Sequence, residues 1–223
     1  MTVVKLISVL SLSALLAACG SQQTTTRAAP GQKASGGVTT LSFAAADAPK
    51  TALPPVSVHK ISIDVPRSLE VSEANRYLPA GDIVWREDPA GDRYAQVEAI
   101  FDAGFKKGTQ SLNGGTPVSL YVQVMRFHAL TEKARYSTGG VHSIKFGLAV
   151  RDLNSGRIIG EPRIIEADLK AFGGNAALAA EAEGRTQKTR ITDHLATVIQ
   201  EELTQEEGHK NARLGIIQEL NKF

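Results

Sequence analysis

PVSLYVQVMRFHAL, residues 117–130, and VHSIKFGLAVR, residues 141–151, decide how this chain folds. In the second run Ile144, Phe146, Leu148 and Val150 point one way, while Lys145, Gly147, Ala149 and Arg151 point the other. In the first, Val118, Leu120, Val122 and Val124 share a face. Alternation of this length marks strands with one buried side. Antiparallel pairing sets Leu120 opposite Val150, Val122 opposite Leu148 and Val124 opposite Phe146, so that the two apolar faces coincide. The same register, continued, sets His128 opposite His142, with Ser137-Thr138-Gly139-Gly140 in the connecting loop.

Downstream, Asn154-Ser155-Gly156 turns the chain, and Ile158 to Leu169 returns as a further strand in which Pro162 marks a bulge or an edge position. Gly173-Gly174 breaks it. Asn175 then caps a long helix from Ala176 to about Thr204, its apolar stripe formed by Ile191, Leu195, Val198, Ile199 and Leu203. Beyond Gly208, Leu214, Ile217 and Leu220 outline a short amphipathic tail, as a docked helix or a loose end.

Upstream, Val56, Val58, Ile61, Ile63 and Val65 alternate with one slip near Lys60, which predicts a strand carrying a bulge and ended by Pro66. Ile83-Val84-Trp85 is a candidate short strand, and Asp88-Pro89-Ala90-Gly91 has turn chemistry. Asp92 is placed to cap a helix to about Lys107, whose apolar face carries Val97, Ile100, Phe101, Gly104, Phe105 and Gly108 and which Gly108 would end. The expected architecture is α+β: an antiparallel sheet of about four strands in β-α-β-β-β-α order with two helices on one face.

Residues 1–18 have a different character. Lys5 precedes the apolar run Leu6 to Ala18, which is of secretory length and shorter than the ~20 residues a spanning helix needs. Leu16-Ala17-Ala18-Cys19 resembles a bacterial lipoprotein cleavage box. The resemblance implies that the leader is removed and that Cys19 carries lipid, palmitate-type acyl chains among it; more than one such chain holds a protein stably on a bilayer. In that family an Asp after the Cys favours inner-membrane retention. Gly20 therefore implies the periplasmic side of the outer membrane.

Residues 19–54 are rich in Ala, Ser, Thr, Gln, Gly and Pro and read as a tether, spanning about 30 Å root-mean-square at ~5–6 Å times the square root of its residue number. A second reading adds Leu41 to Ala46 to the sheet as an edge strand. Residues 55–207 form the α+β domain and 208–223 the tail.

Composition narrows the function. The chain has 25 Lys and Arg against 23 Asp and Glu; removing Lys5 leaves 24 against 23, with no basic footprint for nucleic acid. Cys19 is the only cysteine, so lipidation leaves no thiol for disulfides, metal or nucleophilic catalysis. Phosphate-binding glycine motifs and the nucleophile elbow are missing. Ser57-Val58-His59-Lys60 has S-x-x-K spacing but lies on a strand without the companion motifs. The facing pair His128 and His142 could share a metal, although two ligands do not complete a site. No cofactor and no catalytic residue is expected.

GDIVWREDPAGDR, residues 81–93, holds the only Trp among charged neighbours. Trp85, Arg86 and Asp88 are its candidate partner-binding residues, because Trp and Arg anchor interfaces. The alternative packs Trp85 in the core, with Asp88 in a turn, Asp92 as a cap and Arg86 paired locally. Residues 56–204, most of all VSEANRYLPAGDIVWREDPAGDR at 71–93, resemble a family of uncharacterised bacterial envelope lipoproteins. The order of elements is also similar to accessory lipoproteins of envelope ABC transporters and to the curli-secretion lipoproteins. These resemblances imply a non-enzymatic binding or assembly module for another envelope protein. The competing expectations are an envelope hydrolase or transferase acting on peptidoglycan or lipid, and a lipid-handling subunit of a transporter.

Overall fold

The computed structural model of the chain describes residues 41–220, apart from the side chains of Ile217 and Leu220. The leader, Cys19 and the first part of the tether lie outside the described residues.

The fold is α+β, with a six-stranded, mostly antiparallel sheet. Its centre is the hairpin of β3 (Thr116–His128) and β4 (Gly140–Asp152). Leu120 pairs with Val150, Val122 with Leu148 and Val124 with Phe146, as the alternation predicts. Beyond Val124 the register shifts by one residue. Met125 is the extra residue, so Phe127 rather than an even-numbered residue points into the core, opposite Ile144. His128 consequently faces Ser143 and lies on the opposite side of the sheet from His142. The expected pairing of the two histidines is therefore corrected.

β1 (Val56–Asp64) flanks β3 with the expected bulge between Val58 and Lys60. It runs parallel to β3, because α1 (Arg93–Thr109) carries the chain back to the starting end of the sheet between the two strands. β2 (Ile83–Val84) also pairs parallel with β3, further along the same flank. On the other side of β4 lie β5 (Ile158–Glu166) and the short β6 (Leu169–Ala171), where one longer strand was expected. Ala167 and Asp168 separate them, and the buried Asp168 accepts a hydrogen bond from Ile144 N.

Asp92 caps α1, its Oδ1 accepting from Tyr94 N and Ala95 N. α4 (Gln187–Thr204) lies alongside, and the two helices pack one face of the sheet into a single apolar core. Phe101 and Phe105 of α1 each set their rings 5.5 Å from Phe146, edge to face. Gly108 does not end α1. It lies inside the helix where α4 passes so close that a Cβ would sit 2.2 Å from Ala196 O and 2.6 Å from Ile199 Cγ2. A Cβ at Gly104 would likewise meet Leu195 Cβ and Thr192 O at 2.9 Å.

The long C-terminal helix expected from Ala176 is two helices. α3 (Asn175–Ala182) is capped by Gly174 rather than Asn175 and has no side-chain cap bond. It stops at Gly184, whose φ of 74° is left-handed. Gly184 N donates to Glu181 O and Arg185 N to Ala180 O, a glycine-terminated Schellman end. Thr186 then caps α4, accepting from Thr189 N at 3.2 Å.

Residues 41–54, expected as part of the tether, meet the domain. Ala44 bridges Arg163 of β5, donating to Pro162 O and accepting from Ile164 N, each at 2.8 Å. This is one bridging residue rather than a full edge strand. The Phe43 ring fills the space above Gly147 where a Cβ would stand. Leu53 packs against the core, so residues 41–54 line the domain. The tail docks as well: Gln218, in α5 (Ile216–Leu220), donates to Asp168 Oδ2 at 2.6 Å.

Candidate functional site

Ile83 and Val84 are fully buried, and Trp85 follows them inward with 0% exposure. Its ring meets Phe127 edge-on at 5.7 Å, and its indole N–H donates to Asp88 Oδ2 at 2.8 Å. Asp88 also accepts from Lys188 Nζ of α4 at 2.9 and 3.0 Å. Burial alone would raise the Asp88 carboxyl, but the bonds from Lys188 and Trp85 outweigh it and hold the group below its ordinary value.

The neighbouring charges also face the protein. Arg86 Nε donates to Glu132 Oε2 of α2 (Glu132–Arg135) at 2.6 Å. Arg93, only 6% exposed, forks onto Glu73 at 2.6 and 3.1 Å and donates to Asp88 O, Pro89 O and Gln96 Oε1. The hydrogen bond from Arg93 holds the Glu73 carboxyl below its ordinary value. Glu87 takes Arg135 Nη1 at 2.9 Å and Lys188 N at 3.2 Å, and Arg135 reaches on to Glu181 of α3. One ionic network thus clasps the 73–93 loop, α2, α3 and the start of α4 together.

The expectation that Trp85, Arg86 and Asp88 present themselves to a partner is corrected by this geometry. Trp85 is a core residue, and the side chains of Arg86 and Asp88 are held in ion pairs. Sequence separations of 46 residues from Arg86 to Glu132 and 100 from Asp88 to Lys188 hid these pairs from any local motif.

Among the side chains that the clasp leaves outside, four are large and apolar. Tyr77, Leu78, Tyr136 and Leu178 are each about half exposed. Lys133 Nζ stands 4.8 Å from the centre of the Tyr77 ring, and the Arg135 guanidinium is 4.8 Å from that of Tyr136. Arg135 donates to the Tyr136 hydroxyl at 2.9 Å, which donates in turn to Glu181 at 3.3 Å. Thr131 Oγ1 bonds Arg76 O, and Lys133 N bonds Asn75 Oδ1. The four apolar side chains therefore stand on segments fixed to one another.

The histidines are separate. His128 bonds Pro79 O at 2.9 Å, and burial pushes its pKa down to about 4. Among the described residues no group of three or more His, Cys, Asp or Glu is arranged to hold a metal. Ser57 Oγ lies 3.3 Å from His59 Nε2 on β1, and the S-x-x-K stretch forms part of an edge strand. A shallow cleft of about 30 Å³ opens at β5 between residues 44–53 and Leu148, Val150 and Ile159, with Lys50, Arg163 and Glu202 at its edge; it is the place a lipid-handling reading would put its ligand, and it is small for one. No helix among the described residues is long and apolar enough to cross a membrane.

Residues 56–219 match the model of a family of unknown function, DUF6778. No curated protein matches the chain. Among solved structures, a Xanthomonas campestris protein of the DUF330 family is similar at 13% identity, with 70% of this chain and 92% of that chain covered and a TM-score of 0.35. A candidate lipoprotein of Caulobacter crescentus is similar at 16% identity, with 47% and 78% covered and a TM-score of 0.29. A point variant of PelC from Paraburkholderia phytofirmans, a dodecamer, is similar at 14% identity, with 69% and 92% covered and a TM-score of 0.30.

Proposed function

We propose, for a chain that belongs to the DUF6778 family of unknown function, the role of a lipid-anchored envelope protein whose domain binds another envelope protein and catalyses no reaction. The anchor rests on Leu16-Ala17-Ala18-Cys19 and the leader before it, and Gly20 favours the periplasmic side of the outer membrane. The observation that carries the binding role is the exposed set Tyr77, Leu78, Tyr136 and Leu178, mounted on segments that the ionic clasp holds still. Aromatic and aliphatic side chains already fixed before binding lose little entropy on association, which is what a docking face requires. Trp85 supports that face from within, while the exposed residues make the contact.

Photo-crosslinking in intact envelopes tests this. A photoreactive residue at Tyr77 and another at Tyr136 are expected to give adducts with the same protein. Leu153, equally exposed at the far end of β4, is expected to give none. Absence of an adduct, or one pattern from all three positions, would remove the docking face. Cys19→Ser is expected to abolish fatty-acid labelling and release the protein from the membrane fraction.

A further inference from the structure

Behind α3, at the start of β4, lies a buried imidazole. His142 is 1% exposed, and neither ring nitrogen has a hydrogen-bond partner among the described residues. It borders a narrow cleft, open to solvent, lined also by Arg135, Arg185, Arg190, Phe172 and Glu181. The three guanidinium groups are not equally compensated. Arg135 is held by Glu87 and Glu181, although its Nε lies 3.3 Å from Glu181 Oε1 at an angle outside hydrogen bonding. Arg185 pairs with Glu183 at 2.6 Å. Arg190 sets its guanidinium carbon 3.8 Å from the centre of the Phe172 ring and gives one Nη to Lys170 O at 2.6 Å, yet no carboxylate pairs with it among the described residues.

The electrostatics agree with that tally. Burial pushes His142 down to about 3, and Arg190, His194 and Arg135 push the same way. Arg190 is itself lowered, by burial and then by Arg185. Both groups sit in an excess of positive potential. A water molecule could satisfy the imidazole but would leave the Arg190 charge uncompensated.

We propose that this cleft binds an oxyanion group, a carboxylate or a phosphate, which accepts hydrogen bonds from the Arg190 guanidinium and from a ring nitrogen of His142. The planar fork of Arg190, fixed on Phe172, presents donors at the spacing of two anionic oxygens. The site stands on its own geometry and does not depend on the docking face.

Thermal melting of the full chain in detergent tests the site, with inorganic phosphate, acetate and chloride compared at equal ionic strength. Phosphate or acetate at a hundredfold excess over Kd is expected to raise Tm by roughly 5–10 °C above chloride. A rise with phosphate alone assigns a phosphoryl ligand, and a rise with acetate alone a carboxylate. Arg190→Gln is expected to abolish the rise, and Arg151→Gln, at the far end of β4, to keep it. Equal melting in all three salts, or a rise that survives Arg190→Gln, overturns the site. Should Arg190→Gln fail to fold, the ring signals of His142 in the wild-type protein decide: they shift on adding the effective anion, and unmoved signals refute the proposal.

Discussion

Replacing Gly108 by Ala separates two effects of opposite sign. Inside an exposed helix the change is stabilising by about 1 kcal/mol, because Gly lacks helix propensity. Here the new Cβ would stand 2.2 Å from Ala196 O and 2.6 Å from Ile199 Cγ2, against ordinary contact near 3.4 Å, so α1 and α4 must separate by about 1 Å along their shared core. Overpacking of this kind costs ~1–3 kcal/mol, and a backbone carbonyl in the way places Gly108 at the upper end. The net loss is about 2 kcal/mol, or roughly 4–8 °C in Tm for a domain of this size. Gly104→Ala, whose nearest contacts are 2.9 Å, is expected to lose about half as much. Urea titration and thermal melting of the two variants measure both quantities. A Gly108→Ala protein as stable as wild type, or more so, would refute the idea that bare backbone sets the spacing of the helices.

Two further outcomes follow from the buried polar groups. His128 and His142 have folded pKa values near 4 and 3, below the unfolded 6.5, so the unfolded chain takes up protons first as pH falls. Their stabilisation is whole well above pH 6.5 and is lost towards pH 4 and 3; between pH 6.5, where the unfolded imidazoles are half protonated, and pH 5 the pair loses about 3 kcal/mol, and a urea midpoint no lower at pH 5 than at pH 7.5 would contradict it. Asp88→Ala strands the buried Trp85 N–H and should cost ~1–3 kcal/mol, whereas Lys188→Met removes only a half-exposed ion pair and should cost less than ~1 kcal/mol; denaturation followed through the emission of the single Trp gives the order, and the reverse order refutes this account of the pair.

The hairpin register was legible because each alternating run carries its own parity, and Leu120, Val122 and Val124 found the partners that parity requires. Met125 was not legible. A bulge adds one residue without any compositional mark, so the register extrapolated past it and placed His128 against the wrong neighbour. Parallel entry of β1 was likewise invisible, since alternation is the same in either direction. Gly184 looked tolerable inside an Ala- and Glu-rich helix, yet Thr186 stood two residues on as a ready cap. At the candidate site, the loop at 71–93 stood out by composition, but whether Trp85 pointed in or out depended on Phe127, Asp88 and Lys188 together. Arg190 and His142, far apart in sequence, gave no local sign of meeting.

The irregularity at His59 has a consequence for molecules in company. β1 ends the sheet, and a straight outer strand offers its free amides and carbonyls as a template on which a neighbour can zip. His59 and Lys60 interrupt that template with a step and an exposed positive charge. Two copies meeting side by side would present mismatched teeth, which weighs against pairing of their sheets along this edge.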